Sequence, residues 1–235
     1  MLRVICLLLG YLMGSIVQSG FWICKFHHID IRQYGSGNAG TTNVIRTMGK
    51  KVGYLTYIFD AGKCIVTALI IVLLFGNNHA PAEPEILLVL WGALGCVLGH
   101  NFPFYLGFKG GKGIAASTGL ILSFMIVDIH YWYFTVIGFI IFMTTMYVSR
   151  YVSLASLVLM TTLTLEFIIT AFFGRINATG AALIECNLVM CALTALAFFQ
   201  HRANIVRLIS GTENKIGHHV KVEENLASES GEKNE

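Results

Sequence analysis

The sequence predicts an all-α protein, a polytopic bundle of seven membrane helices with its N-terminus outside and its C-terminus in the cytoplasm. Three observations lead there. Of 235 residues, 55% are hydrophobic and only 12% are charged, about half the charged share of a soluble domain. Apolar runs recur at about 17–25 residues, the length that crosses about 30 Å of hydrocarbon. Lysine and arginine gather in alternate connections between those runs, which fixes an orientation.

The spans are read at 4–24, 53–75, 86–106, 113–128, 131–149, 152–173 and 181–199. The first follows Arg3. Its apolar stretch is long and lacks a small-x-small cleavage site, so a retained span is expected rather than a removed signal peptide. The second carries Asp60 and Lys63, three apart and on one helical face. Intramembrane charges either line a cavity or pair with each other, and both readings stand for these two. The fourth and fifth spans are short and separated only by the corner Asp128–His130. The sixth holds Glu166, to which no role is assigned.

Of the 16 Lys and Arg residues, only Arg3 and Arg175 fall on the face holding the N-terminus. Lys25, Arg32, Arg46, Lys50 and Lys51 follow span one. Lys109 and Lys112 follow span three, and Arg150 follows span five. Arg202, Arg207, Lys215, Lys221 and Lys233 follow span seven, whereas six spans would leave that basic tail outside. Residues 1–212 are read as a single transmembrane domain and 213–235 as a polar cytoplasmic tail, disordered at its end. Cys6, Cys24, Cys64, Cys96, Cys186 and Cys191 have no metal-ligand spacing, so neither disulfide, metal nor other cofactor is expected. Asn177-Ala178-Thr179 is formally a glycosylation sequon.

The four connections on the basic face are also the polar ones. The first contains GSGNAG, Gly35 to Gly40, the literal spacing of a dinucleotide fingerprint. That fingerprint needs a βαβ unit, and a membrane span precedes this one, so the Rossmann reading is rejected. Gly35, Gly37 and Gly40 still let successive N–H groups converge on an anion. Ser36, Asn38, Thr41, Thr42 and Asn43 add neutral donors, and Arg46 adds a planar fork suited to phosphate. The second, GHNFPFYLGFKGGKGIA, puts Lys109, Gly110, Gly111, Lys112 and Gly113, another glycine nest for an anion with two ammonium groups, at the start of a span. Helix N-termini attract anions, although the spacing is not that of a Walker loop. The third, FFQHRANIVRLISGTENKIG, sets His201 and Asn204 on one helical face, with Glu213 after a glycine break. The fourth, SRYVSLAS, supplies Arg150, Ser153 and Ser156.

Taken together these stretches resemble the bacterial acyl-phosphate:glycerol-3-phosphate acyltransferases, the PlsY family. DIRQYGSGNAGTTNVIRTMGKKVG resembles its first motif, GHNFPFYLGFKGGKGIA its second and HRANIVRLISGTE its third. YLMGSI, DAGK and SRYVSLAS resemble further family positions, and the match runs in order from about Tyr11 to Gly217. Ala39, Thr41 and Cys64 depart from residues common in the family. The resemblance implies a multi-pass enzyme of the inner (plasma) membrane, its active site facing the cytoplasm. It would move an acyl chain from acyl phosphate to the 1-hydroxyl of sn-glycerol 3-phosphate, giving lysophosphatidic acid and inorganic phosphate in phospholipid biosynthesis. Partners would be glycerol 3-phosphate, a fatty acyl phosphate, membrane lipid and a soluble protein that produces the acyl phosphate, with no nucleic acid.

By position, the resemblance places Ser36, Arg46, Lys112, His201 and Asn204 in catalysis. It places Gly37, Asn38, Asn43, Lys63, Lys109, Gly110, Gly111, Gly113 and Ser153 in substrate binding, and gives Glu213 a structural role. The proton of the attacking hydroxyl goes either to His201 or to a phosphate oxygen of the donor. The H-x-x-x-x-D motif of thioester-using relatives is absent. A transporter of phosphate esters is the alternative from another class, but transporters hold substrate near the midplane, whereas these phosphate-type residues cluster at one face.

Overall fold

The computed structural model describes residues 1–76 and 83–217, and their regular structure is entirely helical. The elements are α1 Leu2–Ile16, α2 Ser19–Phe26, α3 Thr41–Met48, α4 Lys50–Phe75, α5 Glu85–Asn101, α6 Ile114–Val127, α7 Trp132–Ser149, α8 Val152–Phe172, α9 Gly180–Gln200 and α10 Arg202–Ile209. Six stretches are long and apolar enough to cross a membrane: Leu2–Phe26, Lys50–Phe75, Glu85–Leu106, Ile129–Ser149, Val152–Phe172 and Gly180–Gln200. The expected fourth span is α6, a shorter apolar helix of 14 residues.

The run expected as one span over 4–24 is two helices. Gln18 explains the break, because an amide inside an apolar run must find partners. Its Nε2 lies 3.0 Å from the Gly14 carbonyl and 3.0 Å from the His100 carbonyl. The interruption leaves the Val17 carbonyl outside any helical ladder, and Lys63 of α4 donates to it at 2.7 Å. Below the break, α1 and α5 approach until their backbones touch. A Cβ added at Gly14 would fall on the Cys96 carbonyl, and one at Gly99 on the Tyr11 carbonyl. Small residues allow this approach in a bilayer, where helix association depends on close packing and interhelical hydrogen bonds.

The remaining helices join this pair through a continuous apolar core. Phe124 of α6, Phe134 of α7 and Phe167 of α8 are fully buried and pack ring to ring, with Phe124 and Phe134 centroids 5.1 Å apart. Large apolar side chains such as Leu73, Phe139, Ile140, Leu165, Ile184 and Leu188 face outward, as hydrocarbon rather than water requires. At the end holding Arg3, its guanidinium bridges Glu83 at 2.7 Å and Glu185 at 2.6 Å, while Trp91 donates to Glu185 at 2.7 Å.

The expected tail begins later than residue 213. Glu213 is buried, and the Ile216 N–H donates to the Arg150 carbonyl at 2.8 Å. Residues 213–217 therefore belong to the folded unit; the rest of the expected tail, 218–235, lies outside the described residues.

Candidate active site

The first corner is built around one asparagine. Gly35 and Gly37 hold positive φ angles of 60° and 69°, a region costly for other residues. Asn43, in the first turn of α3, reads the resulting loop on both amide atoms. Its Oδ1 accepts the Ser36 N–H at 2.9 Å, and its Nδ2 donates to the Tyr34 carbonyl at 2.9 Å. Asn43 is 2% exposed. The substrate ligand expected there is instead a clamp, because its hydrogen-bonding capacity faces the protein. Ser36 and Gly37 stand exposed on the clamped loop, and Arg46 lies one turn further along α3. Asn43→Ala should cost about 1–3 kcal/mol by stranding the buried groups it satisfies. Thermal unfolding in detergent would show a clear drop in midpoint, and an unchanged midpoint would contradict the clamp.

The second corner uses its glycines differently from the expected anion nest. The Gly110 N–H donates to the Asn101 carbonyl and the Gly111 N–H to the His100 carbonyl, both at 3.1 Å. Those donors close the end of α5 and are not offered to a ligand. The glycines are needed for closeness, since a Cβ at Gly111 would lie on the His100 ring. Gly113, at φ +82°, then turns the chain directly into α6, whose N-terminus has no side-chain cap. The anion-attracting feature of this corner is that helix end together with Lys112.

The third and fourth corners meet at Glu213. Its Oε1 accepts from Ser153 Oγ at 3.1 Å and from Asn204 Nδ2 at 2.8 Å, and its Oε2 accepts from Arg207 Nε at 2.7 Å. Asn204 Oδ1 in turn accepts from Lys112 Nζ of the second corner. Arg46 of the first corner lies within the field of both Glu213 and Arg207. Hydrogen bonds therefore join the second, third and fourth connections, and Arg46 of the first lies close enough to feel the Glu213 carboxylate and the Arg207 cation.

Burial shapes the charges in this cluster. It draws the Lys112 ammonium down to about 8; Arg207 and Arg46 add to this and Glu213 opposes it. Burial also lowers the Arg46 guanidinium, with Arg207 adding and Glu213 opposing, yet arginine stays charged at any working pH. Burial alone would raise the Glu213 carboxyl, but hydrogen bonds from Asn204, Arg207 and Ser153 hold it below the usual carboxylate range. His201, 3% exposed, is pulled down to about 4 by burial and then by Lys112. It is neutral at pH 7. Its Nδ1 sits 2.8 Å from the Ala197 carbonyl and carries the proton there, so Nε2 is an acceptor.

Several expected residues stand apart from this cluster. Lys63, expected to bind substrate, is 3% exposed and enclosed in the bundle. Its ammonium is 3.0 Å from Asp60 and 2.7 Å from His100 Nδ1, so its protons are taken inside the protein. Of the two readings open for Asp60 and Lys63, the structure shows the ion pair. Lys109 is exposed, while Lys112 three residues later is half-buried. Asn38 Oδ1 and the Thr41 hydroxyl are buried without a partner among the described residues. Arg207 was absent from the expected set although its position, three after Asn204, puts it on the same helical face. Glu166, in α8, has both carboxylate oxygens buried and unpartnered among the described residues.

This helical membrane fold, with a cationic cluster at the meeting of four connections, is matched by known proteins over nearly its whole length. The family model Glycerol-3-phosphate acyltransferase matches residues 4–211. A glycerol-3-phosphate acyltransferase of Streptococcus pneumoniae serotype 19F (strain G54) is 34% identical over 217 residues, covering 92% of this chain and 94% of the relative. That of the strain Hungary19A-6 is also 34% identical. Two crystal structures of PlsY (YgiH), an integral membrane glycerol 3-phosphate acyltransferase, superpose closely. The glycerol 3-phosphate form gives a TM-score of 0.74 at 32% identity, and the lysophosphatidic acid form 0.72 at 31%; each match covers 92% of this chain and 96% of the other. The protein is thus a multi-pass membrane acyltransferase by class. It belongs to the glycerol-3-phosphate acyltransferase family, and its resemblance to PlsY holds in sequence and in fold.

Proposed function

We propose that the protein transfers an acyl group from a fatty acyl phosphate to the 1-hydroxyl of sn-glycerol 3-phosphate, releasing lysophosphatidic acid and inorganic phosphate. The observation that carries this reading is the convergence of Arg46, Lys112 and Arg207 around Glu213, with Asn204, Ser153 and His201 in the same place. Both substrates bring phosphate, and three cations against one carboxylate leave a net positive site for them. An acyl phosphate is already activated. The protein needs to hold two anions together, align hydroxyl with carbonyl and stabilise the developing oxyanion.

In the step itself the glycerol oxygen bonds to the acyl carbon and the bond from that carbon to the phosphate oxygen breaks. The hydroxyl proton ends on the departing phosphate. A general base works best with a pKa near the operating pH, and His201, drawn down to about 4, is a weak one. Its Nε2 lone pair is suited to orienting the hydroxyl, and a donor phosphate oxygen takes the proton. Ser36 supplies a neutral contact on the first corner, where Asn38 Oδ1 and the Thr41 hydroxyl have no partner among the described residues.

The proposal includes seven crossings, the N-terminus outside and the site on the cytoplasmic face of the plasma membrane. Two points support it. Ser153 and Lys112 are tied through Glu213 and Asn204, so the connections before α6 and after α7 share a face. Two crossings between them, α6 and α7, account for that shared face, with α6 as the short one. The positive charges gather on that same face, as the cytoplasmic side requires.

Purified protein in detergent, given labelled glycerol 3-phosphate with palmitoyl phosphate or palmitoyl-CoA separately, tests the donor. Turnover and phosphate release with palmitoyl phosphate alone are expected. Turnover with the thioester alone would overturn the donor assignment.

A further inference from the structure

We infer that His100, locked from behind by the buried Lys63 ammonium, is a positioning residue for the Lys112 corner; this rests on the reaction proposed above. An ammonium has three protons and no acceptor. Around that of Lys63 stand the Val17 carbonyl at 2.7 Å, His100 Nδ1 at 2.7 Å and Asp60 Oδ1 at 3.0 Å, with the Gly14 carbonyl at 3.3 Å. Because Lys63 only donates, Nδ1 of His100 accepts and the ring proton resides on Nε2.

That edge of the ring faces the second corner. A Cβ at Gly111 would meet Nε2, Cε1 and Cδ2 of His100 before any other atoms. The main chain of His100 completes the grip, its carbonyl accepting from the Gly111 N–H at 3.1 Å and from Gln18 Nε2 at 3.0 Å. Lys112 is the next residue. The place and tilt of the imidazole therefore set where the Lys112 backbone starts, and so where its ammonium meets Asn204. Lys63, Asp60 and His100 are each no more than 3% exposed, so the role assigned to them here is exerted through the Lys112 corner.

Charges at this depth are costly, and apolar residues of similar volume often serve stability as well. Apolar contact would not fix a ring's tautomer and rotation. An ammonium anchored on two carbonyls of a broken helix does both.

The test varies glycerol 3-phosphate and palmitoyl phosphate separately with purified full-length variants, alongside calorimetric binding of glycerol 3-phosphate. His100→Ala and Lys63→Met should raise the KM and Kd for glycerol 3-phosphate by about tenfold or more, with a smaller change for the acyl donor. Lys63→Met strands Asp60, so the double variant Asp60→Asn/Lys63→Met removes both charges. It should unfold near the wild-type temperature and keep the raised KM. Gly111→Ala should do less harm in the His100→Ala background than in the wild type, because the atoms it strikes are gone. Wild-type KM in the double variant, or a loss confined to kcat in proportion to lost folded protein, would make the cluster structural only. Wild-type protein that binds glycerol 3-phosphate but ignores acyl phosphate would sink the donor assignment instead, and the variants' Kd values would still decide the positioning role.

Discussion

Arg46→Ala should lower kcat/KM by about 10²–10³-fold, the loss typical of removing one preorganised charged donor from a reacting anion. Stability should change little. Among the described residues no hydrogen bond holds the Arg46 guanidinium; it is governed by burial and by the opposed fields of Glu213 and Arg207. A side chain built into a structure for support would be bonded, as Arg207 is to Glu213. Arg46→Lys should recover only part of the activity, because an ammonium does not reproduce the planar fork. Steady-state rates paired with thermal midpoints would separate these outcomes. Arg46→Ala activity within threefold of wild type would remove the first corner from the mechanism.

Lys112 gives the second large effect, and it is read through pH. Its ammonium, drawn down to about 8, holds its proton at neutrality and loses it as pH rises through that value. A neutral amine no longer attracts phosphate, so kcat/KM should fall about tenfold per pH unit above about 8. Lys112→Arg should carry the remaining activity past pH 9 without that fall, since arginine does not deprotonate there. An unchanged descending limb in Lys112→Arg would assign it to another group. Phosphate monoesters gain their second charge near pH 6, so a rise in that region belongs to substrate and should survive in His201→Gln. If that variant loses the rise, His201 takes the proton.

The sequence carried the spans because hydrocarbon thickness sets run length and polar groups are excluded from it. It carried the four basic corners for the same reason, as the places where polar residues can stand. The break at Val17–Gln18 is hidden in the sequence, because one amide in an apolar run does not show which carbonyls it will find; besides that of Gly14 these belong to α5, some 80 residues away. Glycine was ambiguous in a related way. In the second corner it was read as exposing N–H groups to an anion, yet there it lets the chain press against His100. Asn43 and Lys63 are expected as ligands by position in the family resemblance, which does not show which way a side chain faces. Whether a polar side chain faces inward or toward a substrate is decided by tertiary contacts, which spacing along the chain does not encode. Arg207 is legible from its helical phase with Asn204, but its charge equally suits a basic cytoplasmic tail.

The length of α6 bears on how a greasy substrate is handled. Its 14 residues rise about 21 Å, against about 30 Å of hydrocarbon. Its far end is marked by Asp128, which accepts from the exposed His130, a pair that belongs at the water boundary. With α6 as a crossing, as proposed above, the shortfall would lie at the Gly113 end, and the Lys112 corner would sit in a dimple several ångströms beneath the plane of the lipid phosphates. An acyl donor floating in the leaflet would meet the cations sideways, its tail still among its neighbours, while glycerol 3-phosphate descends from the aqueous side. No chain would have to be lifted out of the bilayer for the reaction to occur.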